Sequence, residues 1–221
     1  MSGLKKPILL VIGILFLDQF VKIWIKTHMT LGQEINLIGN WSKIHFTENN
    51  GMAFGIELGG EFGKIFLSLF RIAAIFLIGW YIVNLSKKGS PKMMVISFAM
   101  IFAGAMGNII DSTFYGLIFN ESSWANVAHI FPKGGGYQSF LHGRVVDMLY
   151  FPMIQDAHIP SWLGGGTYTF FSPIFNIADS SITIGVALLL VFQKEFFGKV
   201  EAKPESATIE TQSNTIESSS L

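Results

Sequence analysis

The sequence predicts an all-α membrane bundle of four transmembrane helices with a small extracytoplasmic β-containing surface element. Three observations lead there. Half of the 221 residues are hydrophobic and 14% are charged, against about 25% charged in soluble domains, and the mean hydropathy is +0.48. Four apolar runs, at 7–26, 62–86, 92–111 and 173–193, approach or exceed the ~20 residues a helix needs to cross a bilayer core. Two long segments between them hold all five histidines (His28, His45, His129, His142 and His158) and much of the glycine and aromatic content.

The first run is long for a signal peptide, carries Asp18 and Lys22, and lacks a small-residue cleavage pattern before Lys26, so it is expected to be a retained span. Asp18 and Lys22 are four residues apart, which places them on one helical face where they can pair. The segment after it contains "INLIGNWSKIHFT", whose alternation predicts short strands, and "NNG", a turn signal. The second run carries Arg71, too deep to snorkel easily and expected to meet an interior partner, Asp18 being one option. The third run ends "GAMGNIIDS", and the fourth begins "FNIADSS". Between them "GRVVDMLYF" reads as a short strand or a re-entrant segment. From Glu201 onward the chain is polar and aperiodic. Residues 201–221 are therefore expected to be a disordered cytoplasmic tail on one integral membrane domain, 1–200.

Basic residues set the orientation. Lys5, Lys6, Lys87, Lys88, Lys92, Lys194, Lys199 and Lys203 share one side if four helices alternate. Both termini are then cytoplasmic, and the segments 27–61 and 112–172 face outward. The 15 basic and 15 acidic residues balance, which argues against a nucleic acid partner. There is no cysteine, no H-E-x-x-H and no G-x-S-x-G, so thiol, zincin and serine-elbow chemistries have no residues to carry them. Neither metal nor other cofactor is expected.

The polar residues within apolar surroundings are the functional candidates. Asn-x-x-Asp occurs twice, as Asn108 with Asp111 and Asn176 with Asp179. A spacing of three puts each pair on one helical face, and opposite helix directions bring both to the outer interface. Asp147, among Val145, Val146, Met148 and Leu149, adds a third carboxylate. Helix capping or interfacial solvation would account for any one of them, Asp111 above all. Asp179, ~8 Å past Pro173 at ~1.5 Å per residue, is poorly explained by capping. Two carboxylates in a low-dielectric site divide the roles: one keeps its proton while the other stays a base. That arrangement activates water against a peptide carbonyl. The rival reading, a non-enzymatic membrane protein with a polar pathway, needs ionisable groups spread through the membrane depth, and only Asp18, Lys22 and Arg71 lie deeper.

Five motifs, in order over roughly 7–194, resemble those of the lipoprotein signal peptidase family, the type II signal peptidases of bacteria: "DQFVK", "ENNGMAFG", "GAMGNIID", "GRVVDM" and "FNIADSSI". The resemblance implies an intramembrane aspartyl endopeptidase of the bacterial inner membrane. Such an enzyme cuts the signal peptide from prolipoproteins just before a diacylglyceryl-modified cysteine, with its site at the extracytoplasmic face. It places the catalytic pair at Asp147 and Asp179, with supporting roles for Asn49, Gly51, Asn108, Asp111 and Asn176. Membrane lipids are the other partners, and a monomer is expected. Two departures stand out. The family usually has an arginine after the third-helix aspartate, where this chain has Ser112; Arg144 is the expected replacement at the substrate site. The inserts 113–142 and 155–171 are longer than in most members and rich in aromatic residues and glycine. They are expected to touch substrate or lipid as a lid or interfacial hairpin.

Overall fold

A computed structural model describes residues 4–49, 60–158, 161–163, 165–170 and 173–197. The expected tail 201–221 and Gly51 lie outside these residues. Helix α1, Lys5–His28, is followed by strands β1 (Glu34–Ile38) and β2 (Ser42–Asn49), then by α2 (Gly60–Lys87) and α3 (Lys92–Ile110). The chain continues helically through a π-turn, Asp111–Tyr115, and a last short turn, α4 (Gly116–Ile118). Strands β3 (Val145–Tyr150), β4 (Ile154–His158), β5 (Thr167–Phe170) and β6 (Ile174–Phe175) lead into α5 (Ile177–Val191) and α6 (Gln193–Phe197).

Among the described residues three helical stretches are long and apolar enough to cross a membrane: Lys5–His28, Leu69–Lys87 and Lys92–Ile118. The fourth apolar helix, Ile177–Val191, has 15 residues. Their outer faces are apolar, with Phe16, Phe66, Phe76, Leu77 and Trp80 all exposed, which suits lipid and not water. The inner faces mesh closely. A Cβ on Gly104 would lie 2.2 Å from the Ala178 carbonyl oxygen, and one on Gly185 2.7 Å from that of Ser97, so α3 and α5 touch backbone to backbone. At the other end Ile82, Leu85, Met94 and Val95 form an apolar cluster where α2 meets α3.

Two expected boundaries move. The third span was expected to stop at Asp111, but the helix runs on to Ile118, because bonds to the Asp111 side chain satisfy it in place. The fourth was expected from 173, but Ile174 and Phe175 first pair as a strand with Tyr150 and Leu149, and the helix starts only after Asn176.

The four-stranded antiparallel sheet has the order β1-β2-β3-β6. Its first hairpin turns at Gly39–Trp41, with Gly39 at φ +52°, a backbone region that glycine enters without cost. The "NNG" turn signal begins at Asn49, the last residue of β2; its remainder lies outside the described residues. Between Ile44 and Thr47 the register shifts against β3, so His45 and Phe46 together face Met148. Such a bulge re-aims the side chains beyond it. Phe46, Val146 and Met148 enter the core with Ile25, Met29, Tyr115, Phe119 and Ala128.

The insert 113–142 is fitted closely to the end of the third helix. A Cβ on Gly136 would lie 2.1 Å from the Gly116 carbonyl oxygen, and one on Gly143 2.2 Å from that of Asp111. The second insert forms the β4–β5 hairpin, with Trp162 80% exposed near its turn.

Candidate active site

The sheet and the helices meet at a buried polar layer. Asp147 lies on β3, 3% exposed, and residues two apart on paired strands share a face. Asn49 pairs in register with Val145, so it projects to the Asp147 side and its Nδ2 donates to Asp147 Oδ2. Asn176 follows β6 directly, which brings it next to the same carboxylate: its Nδ2 donates to Asp147 Oδ1 at 2.7 Å and toward the Val146 carbonyl at 3.3 Å. Burial first, and the neighbouring Asp179 charge second, push the Asp147 carboxyl up to about 7.

Asp179 occupies the first turn of α5 in a capping box. Asn176 Oδ1 accepts the Asp179 N–H at 2.9 Å, and Asp179 Oδ2 accepts the Asn176 N–H at 3.2 Å. Capping, which the sequence reading set aside for Asp179, is thus part of what holds it. Its other oxygen, Oδ1, accepts from Asn108 Nδ2 at 2.8 Å. Asn108 Oδ1 in turn accepts from Asn176 Nδ2 at 3.1 Å and Lys22 Nζ at 2.9 Å. The two Asn-x-x-Asp pairs therefore interlock through their amides. Arg71 is half-buried on α2 and interacts electrostatically with Asp179.

Beneath this pair is a second arrangement of carboxylates. Lys22, fully buried, lies 3.0 Å from Asp18 Oδ2 and 2.8 Å from Asp111 Oδ2. Asp18 Oδ1 accepts the Ala178 N–H at 2.9 Å, one of the otherwise unpaired donors at the start of α5. Asp111 Oδ2 also accepts the Val146 N–H at 3.3 Å. Asp111 is thus no helix cap; it ties the third helix to the strand that carries Asp147. Gln19, which the sequence reading passed over although it lies inside "DQFVK", donates to Asp111 Oδ1 at 2.9 Å and accepts from the Tyr115 hydroxyl at 3.1 Å.

Asp147, Asp179, Asn49, Asn108, Asp111 and Asn176 are thereby brought into one bonded network. Arg144 is directed elsewhere. Its guanidinium meets Glu121 at 3.0 Å and Glu48 at 3.6 Å, over the ring of Tyr137, and the cation beside Asp111 is Lys22. Among the described residues no group of three or more His, Cys, Asp or Glu side chains is placed to hold a metal ion.

Apolar outer faces around a polar layer with two carboxylates linked through Asn176 define the class as a multi-helix membrane protein with a candidate hydrolytic site. The family model for signal peptidase (SPase) II matches residues 10–194. The chain is 50% identical to a lipoprotein signal peptidase of Porphyromonas gingivalis over 186 residues, 82% of this chain and 80% of that one. It is 36% identical to one from Amoebophilus asiaticus, over 91% of this chain and 82% of the relative. A bacterial membrane enzyme solved by the in meso method at 2.3 Å superposes with a TM-score of 0.56 at 26% identity, over 90% of this chain and 93% of the other. The chain belongs to the signal peptidase II family.

Proposed function

We propose that this protein is an intramembrane aspartic endopeptidase that removes the signal peptide from bacterial prolipoproteins, cutting just before a diacylglyceryl-modified cysteine. The catalytic pair is Asp147 and Asp179. One observation carries the assignment: Asn176 bonds both carboxylates at once, through Nδ2 to Asp147 and through its backbone N–H to Asp179. Amides of Asn49, Asn108 and Asn176 donate to the pair, and amides orient carboxylates without neutralising them.

Burial brings the Asp147 carboxyl up to about 7, which makes Asp147 the proposed proton holder near neutral pH. Asp179, as base, takes a proton from water while the oxygen attacks the carbonyl carbon before the lipidated cysteine. Asp147 then protonates the departing amide nitrogen. Asn108 and Asn176 orient the two carboxylates, and Asn49 steadies Asp147. Gly51 belongs to the same motif as Asn49 and is proposed to border the substrate.

We place the protein in the inner membrane with four spans. The 15-residue α5 covers ~22 Å at ~1.5 Å per residue, short of a ~30 Å core, and the flanking β6 and α6 extend it. Lys5, Lys6, Lys87, Lys88, Lys92 and Lys194 support cytoplasmic termini and an outward-facing site; residues 1–200 are the membrane domain and 201–221 a cytoplasmic tail. The test is cleavage of a diacylglyceryl-modified prolipoprotein by purified protein. Asp147→Asn and Asp179→Asn, each folded, should both abolish cutting; cutting by either variant refutes the pair.

A further inference from the structure

A second buried charge cluster lies beside the carboxylate pair and takes no part in the chemistry just described. Lys26, one helical turn beyond Lys22 on α1, is fully buried and pairs with Glu48, itself 2% exposed. Ser122 of the insert bridges the two, accepting from Lys26 Nζ and donating to Glu48 Oε1, each at 2.8 Å. Arg144 lies 3.6 Å from Glu48 Oε2 and bonds Glu121 at 3.0 Å. The Tyr137 ring is beneath both cations, 5.0 Å from Lys26 Nζ and 5.3 Å from the guanidinium. Its hydroxyl accepts the Arg144 N–H at 2.7 Å.

The cluster's position in the sheet gives it a consequence. Glu48 pairs in register with Val146, and each is one residue from a member of the Asn49–Asp147 contact. Lys26 and Arg144 hold the Glu48 side chain from α1 and from the start of β3. Fixing Glu48 there fixes the register of β2 on β3 beyond the bulge, and a slip of one residue would turn Asn49 to the other face. The buried pair Lys26 and Glu48 tolerates only the geometry in which the two charges meet, and the part-exposed Arg144 closes it from the surface side.

We propose that the Lys26–Glu48–Arg144 cluster, completed by Glu121, Ser122 and Tyr137 of the insert, is a positioning centre that holds Asn49 against Asp147. The insert is then part of the catalytic scaffold and not a movable cover. The proposal rests on the assignment of Asp147 to catalysis. Its pH consequence follows from what faces Asp147: the Asp179 charge from α5, Lys22 from α1, and the amides of Asn176 and Asn49, with Asp111 one residue away through Val146. Of these, losing the Asn49 bond removes a donor that favours the charged form.

The test compares Arg144→Ala, Arg144→Lys and Tyr137→Phe with Asp147→Asn, using purified full chain and a diacylglyceryl-modified prolipoprotein peptide from pH about 5 to 9. Arg144 is partly exposed and Tyr137→Phe removes one oxygen, so both variants should fold. Arg144→Ala should lower kcat about ten- to a hundredfold with little change in KM, and move the Asp147 limb of the pH profile upward. Arg144→Lys should recover part of kcat, and Tyr137→Phe should shift the same limb by less. A wild-type kcat and profile in Arg144→Ala, beside an inactive Asp147→Asn, would overturn the positioning centre alone. So would a rise in KM with kcat unchanged, or a loss of kcat with an unmoved limb. Cleavage by Asp147→Asn would instead overturn the catalytic assignment, and the positioning centre with it.

Discussion

Two pairs of aspartates lie in neighbouring buried layers, and what separates their members differs. Between Asp18 and Asp111 is the ammonium of Lys22. Between Asp147 and Asp179 is the amide of Asn176. A cation shared between two carboxylates draws both to one point and fixes them as structure, whereas an amide can orient carboxylates without neutralising them. The same residue type in adjacent layers thus serves as a fastening in one and, on the proposed function, as acid and base in the other. The bridging group, more than burial or proximity, makes that division.

The sharpest way to break the comparison is to neutralise each member in turn. Asp147→Asn and Asp179→Asn should cost about a hundredfold or more in kcat while thermal unfolding in detergent stays near wild type. Lys22→Met should do the reverse: it leaves Asp18 and Asp111 uncompensated and should cost about 3–5 kcal/mol of stability, read as a lowered unfolding temperature. Equal loss of stability in both sets would erase the distinction.

A smaller effect is expected from crowding the fastening without removing it. A Cβ on Gly107 would lie 2.7 Å from Asp18 Oδ2. Gly107→Ala should therefore press Asp18 away from the Ala178 N–H and cost about 1–3 kcal/mol, again measured by unfolding.

The smallest effect is the part of the pH dependence that belongs to Asp147. The Asp147 carboxyl is raised in the folded protein to about 7, above its unfolded value near ~4. Between those two values the folded state holds the extra proton, so this group's contribution to stability falls as pH rises and levels off above about 7. Unfolding temperatures across that range should fall for the wild type and fall less steeply for Asp147→Asn.

Much of this was legible in the sequence because it depends on periodicity. Alternation in "INLIGNWSKIHFT" marked the strands, and the repeated Asn-x-x-Asp marked two helix segments that interlock. Side chains alone could not reveal the partners. Asp111 followed by Ser112 looks like a helix end, yet Lys22 and Gln19, from far back in the chain, satisfy Asp111 and the helix continues to Ile118. Asp179 looked too deep for a cap because the span was counted from Pro173, while strand pairing of Ile174 and Phe175 delays the helix. Arg144 was expected at the substrate site since it is three residues from Asp147; its pairing with Glu48 and Glu121 is set by distant parts of the chain that spacing does not reveal. Lys26 stands at the end of the first apolar run and carried no expectation from its spacing. Its burial depends on Glu48 and on an insert whose path no local pattern encodes.

The joint between β6 and α5 also has a consequence for the order of biosynthesis. Asn176 and Asp179 belong to the last helix pair of the described chain, and Asp147 is reached by the ribosome well before them. A nascent chain that has not yet delivered β6 to the edge of β3 carries one carboxylate without its partner or its bridging amide. On the catalytic pair proposed above, proteolytic competence waits until β6 and α5 are made and docked, and copies not yet synthesised that far cannot cut their neighbours.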